Sequence, residues 1–117
     1  MRMALKNGAF VYMVRCSDGR YYIGIYRGFD LNTRIGEHNS GYYPKAWTFR
    51  RRPVELVWAE HFDRVTDAID CETRIKKWSR AKKEALIIGD YALISELAKS
   101  RTAPADPSKR KFNKDNT

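Results

Sequence analysis

The sequence predicts an α+β fold: a three-stranded antiparallel sheet flanked by helices, in the order β-β-α-β-α-α. Three observations predict it. Two β-branched and aromatic runs, AFVYMVR and YYIGIY, sit on either side of the turn residues Ser17-Asp18-Gly19. A third run, Val54 to Glu60, alternates Val, Leu and Trp with Glu, Val and Ala. Elsewhere, apolar residues recur at helical spacing behind the capping residues Asp30, Ser79 and Asp90. The 117 residues suffice for one modest core. We expect a single domain over residues 1–100 and a disordered basic tail over 101–117, where the chain turns polar and Pro-containing.

The first two strands form a hairpin, and the length of its loop decides which faces the tyrosines share. A two-residue Asp-Gly loop would put Tyr12 and Tyr22 on opposite faces. A three-residue loop with Gly19 in the left-handed region shifts the register by one. Tyr12 then opposes Gly24 and Val14 opposes Tyr22, so Tyr12, Tyr22 and Tyr26 share one face. We adopt the three-residue loop.

Asp30 caps a helix expected over residues 31–39 and ended by Gly41. Leu31 and Ile35 anchor it to the sheet. Arg34 and His38 form a second pair one turn apart, about 60° round the axis from the first. They sit at the edge of the buried stripe, where long polar side chains lean over the sheet. Nothing in the sequence explains Gly36.

Residues 41–53 form a basic, aromatic loop closed by Pro53, and the third strand follows. A second helix is expected over 65–77, with an apolar face of Val65, Ala68, Ile69 and Ile75. Glu72 falls in the middle of that face. Ser79 caps a third helix that stops at Gly89, and Asp90 caps a short fourth one carrying Leu93, Ile94 and Leu97.

The formal charge of +9 favours a polyanionic partner, with nucleic acid ahead of membrane. The cations are clustered: Lys45 lies in the aromatic loop, Arg50, Arg51 and Arg52 are consecutive, and Lys76 and Lys77 lead a second group. Tyr42, Tyr43 and Trp47 interleave with the first group, a pattern suited to stacking on unpaired bases. Cys16 and Cys71 belong to no metal-binding pair and read as reduced packing thiols. No apolar run reaches the roughly 20 residues that span a bilayer, and no signal segment is evident, so a cytoplasmic location is expected.

An inward carboxylate such as Glu72 demands a partner, either a cation such as Arg34 or a divalent metal. Mg²⁺ commonly takes only one or two protein carboxylates together with substrate phosphate oxygens. A tyrosine near Arg34, Lys45 or a metal could take a proton from water, and Arg34 could clamp a phosphate. His61, at the exit of the third strand, reads as a surface residue.

Together these residues resemble the GIY-YIG nuclease family. The second motif stands intact as Tyr22-Ile23-Gly24, and the first appears as Phe10-Val11-Tyr12, with the tyrosine retained and Phe10 in the place of glycine. Arg34 and His38 match the family's Arg-x-x-x-His/Tyr helix, and Glu72 matches its single metal-binding glutamate. The match runs from about Phe10 to Ile88. Its small stand-alone bacterial members, YhbQ-like and akin to the N-terminal nuclease domain of UvrC, are the most similar.

The resemblance implies one-metal hydrolysis of a DNA phosphodiester, in repair or processing. Tyr12 or Tyr22 would be the general base, Arg34 the phosphate stabiliser and Glu72 the ligand of Mg²⁺ or Mn²⁺. His38 would orient groups in the same cluster. No counterpart is evident for a further polar residue that some members carry after the glutamate. No membrane or protein partner is expected. The competing function is a nucleic-acid binding module with the same fold that does not cut; a protein-interaction adaptor has little support.

Overall fold

The computed structural model describes residues 8–102, with side chains as far as Lys99. The chain divides between Lys77 and Trp78 into two compact units. The first carries the sheet, formed by β1 (Ala9–Arg15), β2 (Tyr21–Tyr26) and β3 (Glu55–Phe62) in the spatial order β2-β1-β3, all antiparallel. The central strand is covered on both faces, which is why β1 reads as a nearly unbroken apolar run. Tyr12, Val14, Leu31 and Val54 form the core on one face. Val11, Met13, Ile23, Ala68 and Ile75 are buried at the alternate strand positions and on the helix packed there.

The hairpin has the three-residue loop. Cys16 N–H donates to the Arg20 carbonyl at 2.8 Å, and Gly19 takes φ 86°. Tyr12 lies opposite Gly24 and Val14 opposite Tyr22, as the register argument requires. The need for glycine at position 24 is steric. A Cβ there would sit 2.5 Å from the Tyr12 hydroxyl oxygen and 2.6 Å from its ring carbon. Gly24→Ala is therefore expected to lower stability by about 1–3 kcal/mol, the usual penalty of overpacking. Urea unfolding measures it, and the added change Tyr12→Phe should recover part of the loss.

The third strand departs from simple alternation. Met13 pairs with Trp58 but Val14 with Leu56, so Val57 is an extra, bulged residue. Val54 and Leu56 face the tyrosine side, and Trp58 turns to the other face, contrary to the uniform alternation expected. His61 is also not a surface residue. It lies within β3, its side chain is 24% exposed, its ring meets Phe10 edge-on at 5.0 Å, and its Nδ1 is 3.7 Å from Asp63.

Helix α1 (Leu31–Ser40) begins where the Asp30 carboxylate accepts from Asn32 N–H and ends at Gly41 in the left-handed region. Leu31 and Ile35 pack against the tyrosine face. Asn39 ties the helix end to the start of β3: its amide donates to the Val54 carbonyl at 3.0 Å, and its carbonyl accepts from Val54 N–H at 2.7 Å. A Cβ at Gly36 would meet nothing, so packing does not explain that glycine.

Helix α2 (Val65–Lys76) crosses the other face of the sheet. Ala68 and Ile75 are buried, while Ile69, expected in the apolar face, is 47% exposed. In the second unit, Ser79 caps α3 (Arg80–Ile88), which stops at Gly89 as expected. Asp90 accepts from Leu93 N–H at the start of α4 (Tyr91–Thr102). That helix runs 12 residues rather than forming the short element expected, because nothing breaks helical propensity before Pro104. The tail expected from residue 101 lies, from Ala103 onward, outside the described residues. Among the described residues, no helix is long and apolar enough to cross a membrane.

Candidate active site

The shared tyrosine face and α1 converge on a chain of polar groups. Tyr12 is fully buried, and its hydroxyl lies 3.0 Å from His38 Nε2. On the far side of the imidazole, Nδ1 lies 2.9 Å from Thr48 Oγ1. Arg34, one turn earlier on the helix, sets its positive charge near the Tyr12 hydroxyl. Its guanidinium also lies 4.7 Å from the Tyr26 ring centre, with Nε 3.4 Å from Glu37 Oε1. Glu37 is held in turn by the Tyr43 hydroxyl, which donates to it at 2.6 Å.

Burial fixes the charge states. Burial and the neighbouring Tyr22 push the Tyr12 phenol up to about 12, against the hydrogen bond and charge of Arg34. The same burial, with the positive charge of Arg34, holds His38 below the usual imidazole range, and Glu37 only partly opposes this. For Arg34, burial works against the charge, but Tyr12, Tyr43 and Glu37 outweigh it and raise its pKa. The cluster at neutral pH is thus a neutral phenol, a neutral imidazole and a permanent guanidinium.

That arrangement has a consequence for stability. An imidazole that resists protonation when folded binds a proton more readily in the unfolded chain. Its stabilising contribution is complete above the free imidazole value of about 6.5 and is lost as pH falls through it. Melting temperature should therefore drop between about pH 8 and about pH 5 more steeply for the parent protein than for His38→Gln. Thermal denaturation followed by circular dichroism checks the difference.

In front of the buried chain lies a cleft of about 480 Å³, lined by Tyr22, Arg34, His38, Tyr42, Tyr43 and Lys45 among others. Of the two motif tyrosines, Tyr22, half-buried, is the one that faces it. Its ring stacks on Trp47 at 6.1 Å and meets His38 edge-on at 5.7 Å. Tyr12 stands behind, without a place in the lining.

Glu72 arrives from the other side of the sheet. Its side chain is 16% exposed, and Oε2 accepts from Lys76 Nζ at 2.7 Å, one turn on. The partner is therefore Lys76 rather than Arg34. The hydrogen bond to Glu72 raises the Lys76 pKa, burial partly opposing it. Among the described residues, no group of three or more His, Cys, Asp or Glu could hold a metal ion. The donor set nonetheless fits Mg²⁺ or Mn²⁺. One hard carboxylate oxygen pair, half-buried and held by a displaceable exposed lysine, suits an ion that keeps its waters and takes the remaining ligands from phosphate.

The basic loop divides by task. Arg51 Nε lies 3.0 Å from Asp18, Nη1 donates to the Trp47 carbonyl, and the guanidinium covers the Trp47 ring at 3.9 Å. Arg52 donates to the Phe49 carbonyl at 2.7 Å and covers the Phe49 ring. These two hold the loop against the hairpin and α1. Lys45, Arg50 and Lys77 are exposed. Thus Tyr12, Tyr22, Arg34 and His38 come together, with Lys45 and Trp47 beside them. Glu72 and Lys76 pair with each other on α2, and both they and the Arg50–Arg52 run lie outside the cleft lining. Sequence reasoning missed Glu37, Tyr43 and Thr48 as parts of the cluster. The three-residue spacing of Arg34 and Glu37 could have shown the first. Nothing in the sequence marks Thr48.

A family model described as "GIY-YIG catalytic domain" matches residues 8–85. A UPF0213 protein of Halobacterium salinarum is 47% identical over 76 residues, 65% of this chain and 95% of that protein. A UPF0213 protein of Staphylococcus aureus is 44% identical over 78 residues, 67% of this chain and 92% of that protein. The solution NMR structure of the UPF0213 protein BH0048 from Bacillus halodurans is 35% identical, with a TM-score of 0.44, over 68% of this chain and 82% of that one.

Proposed function

We propose that this chain, which belongs to the GIY-YIG family, is a metal-dependent endonuclease that hydrolyses DNA phosphodiesters in repair or processing. The observation that carries the reading is the cleft in which Tyr22, Arg34 and His38 meet beside Lys45 on a strongly basic chain. A cleft needing only shape would not collect a guanidinium fixed by three neighbours.

In this reading Arg34 binds the non-bridging oxygens of the scissile phosphate through paired donors, and their hydrogen bonds strengthen as charge builds there. Glu37 and the rings of Tyr26 and Tyr43 hold the guanidinium in place. Tyr22 is the base rather than Tyr12, because Tyr22 faces the cleft while Tyr12 is sealed and held protonated by burial. The attacking water loses its proton to the Tyr22 oxygen, in a cleft whose lining also carries the cations Arg34 and Lys45. Glu72 would hold Mg²⁺ or Mn²⁺, releasing Lys76. When bound, the ion polarises a phosphoryl oxygen and stabilises the departing oxygen.

Incubation with branched, nicked and single-stranded DNA, in Mg²⁺ or Mn²⁺ and in chelator, tests the reading. Metal-dependent cleavage that disappears in Arg34→Ala supports it; cleavage unchanged in that variant defeats it. One observation favours a non-cutting nucleic-acid binder instead, namely the ammonium of Lys76 already seated on the Glu72 carboxylate. Salt-dependent binding of DNA without cleavage under any metal condition would establish that alternative.

A further inference from the structure

Donor bookkeeping in the buried cluster assigns a direction to its hydrogen bonds. The Tyr12 hydroxyl is fully buried, so its proton needs an acceptor. The acceptor placed for it is His38 Nε2 at 3.0 Å. Nε2 is consequently bare, Nδ1 carries the ring proton, and Nδ1–H donates to Thr48 Oγ1 at 2.9 Å. In the opposite tautomer Nε2–H would donate to the phenol oxygen and leave the buried phenol proton without an acceptor.

We infer that Thr48 is a positioning residue, which accepts from Nδ1–H and holds His38 in the tautomer whose bare Nε2 takes the Tyr12 hydrogen bond. The proposal deepens the nuclease reading and rests on it for its effect on cleavage. Thr48 is itself 1% exposed, at the head of the turn Phe49–Arg51. Its carbonyl accepts from Arg51 N–H at 2.9 Å, while the Arg51 side chain is tied to Asp18. The hydroxyl is therefore delivered by a braced segment. The groups facing His38 are Tyr12 and Tyr22 from the strands, Arg34 and Glu37 from its own helix, and Tyr43 and Thr48 from the loop. Among them only Thr48 touches Nδ1. Valine at this position keeps the branched shape and removes the acceptor; serine keeps the acceptor and removes a methyl group.

The experiment is long-range proton–nitrogen correlation NMR of the imidazoles, which is simple to read because the chain has two histidines. In the parent protein His38 should show a protonated Nδ1 and a bare Nε2. Thr48→Val should lose that tautomer, and Thr48→Ser should keep it. In parallel, Thr48→Val should lower kcat for DNA cleavage about tenfold, the scale of one neutral hydrogen bond, with KM unchanged. Thr48→Ser should restore it. A protonated Nε2 in the parent protein overturns the inference, as does an unchanged Nδ1–H tautomer in folded Thr48→Val. If the valine variant does not fold, the parent spectrum and a serine variant that loses the tautomer still decide against it. A parent protein with the expected tautomer but no cleavage defeats the nuclease reading and leaves the assignment of His38 standing.

Discussion

Tyr22→Phe should lower kcat for DNA cleavage by about 10²–10⁴-fold, the usual worth of a positioned general base, without loss of folding. Tyr12→Phe should have a much smaller effect. The two phenols share a strand face and a signature, yet the structure treats them differently. Tyr12 has no exposed surface, a hydroxyl engaged with His38, and a pKa pushed up to about 12. Tyr22 is half-buried and faces the cleft. Single-turnover rates of both variants, with circular dichroism as the folding control, measure the contrast. Equal losses would mean that the base has been misassigned.

Glu72→Gln should remove metal-stimulated cleavage, by about 10²–10³-fold if it behaves like the loss of one electrostatic stabiliser of the transition state. It should leave the fold nearly intact, since the half-exposed Glu72–Lys76 pair is worth less than about 1 kcal/mol. Mn²⁺ titration followed by calorimetry should lose its binding isotherm in the same variant. Lys76→Met should do the opposite and tighten Mn²⁺ binding, because the carboxylate no longer has an ammonium to surrender. These measurements separate a metal site from a plain ion pair.

Much of this arrangement was legible in the sequence because it depends on periodicity and caps. The loop Ser17-Asp18-Gly19 fixes the register, the register fixes the tyrosine face, and Asp30 with Gly41 fixes the helix that carries Arg34 and His38. What escaped depends on the third dimension. The bulge at Val57 turns Trp58 to the other face, and no alternation rule marks such a site. Ile69 looked like core, but the helix presents Ala68 and Ile75 instead, since a small residue lets α2 approach the sheet. Glu72 is inward and paired, as its place on the helix predicts, but its partner is a lysine one turn along. Thr48 sits in a loop whose path comes from tertiary contacts, so its bond to His38 could not be read from spacing.

The brace between Arg51 and Asp18 bears on how tightly this surface can hold a polyelectrolyte. Each phosphate neutralised by a side chain frees about 0.9 of a condensed counterion, and only cations free to leave their own partners contribute. Arg51 and Arg52 are already committed to carbonyls, a carboxylate and aromatic rings. The salt slope of DNA affinity should accordingly fall by about 0.9 in Arg50→Ala. It should remain well below what the formal charge of +9 suggests.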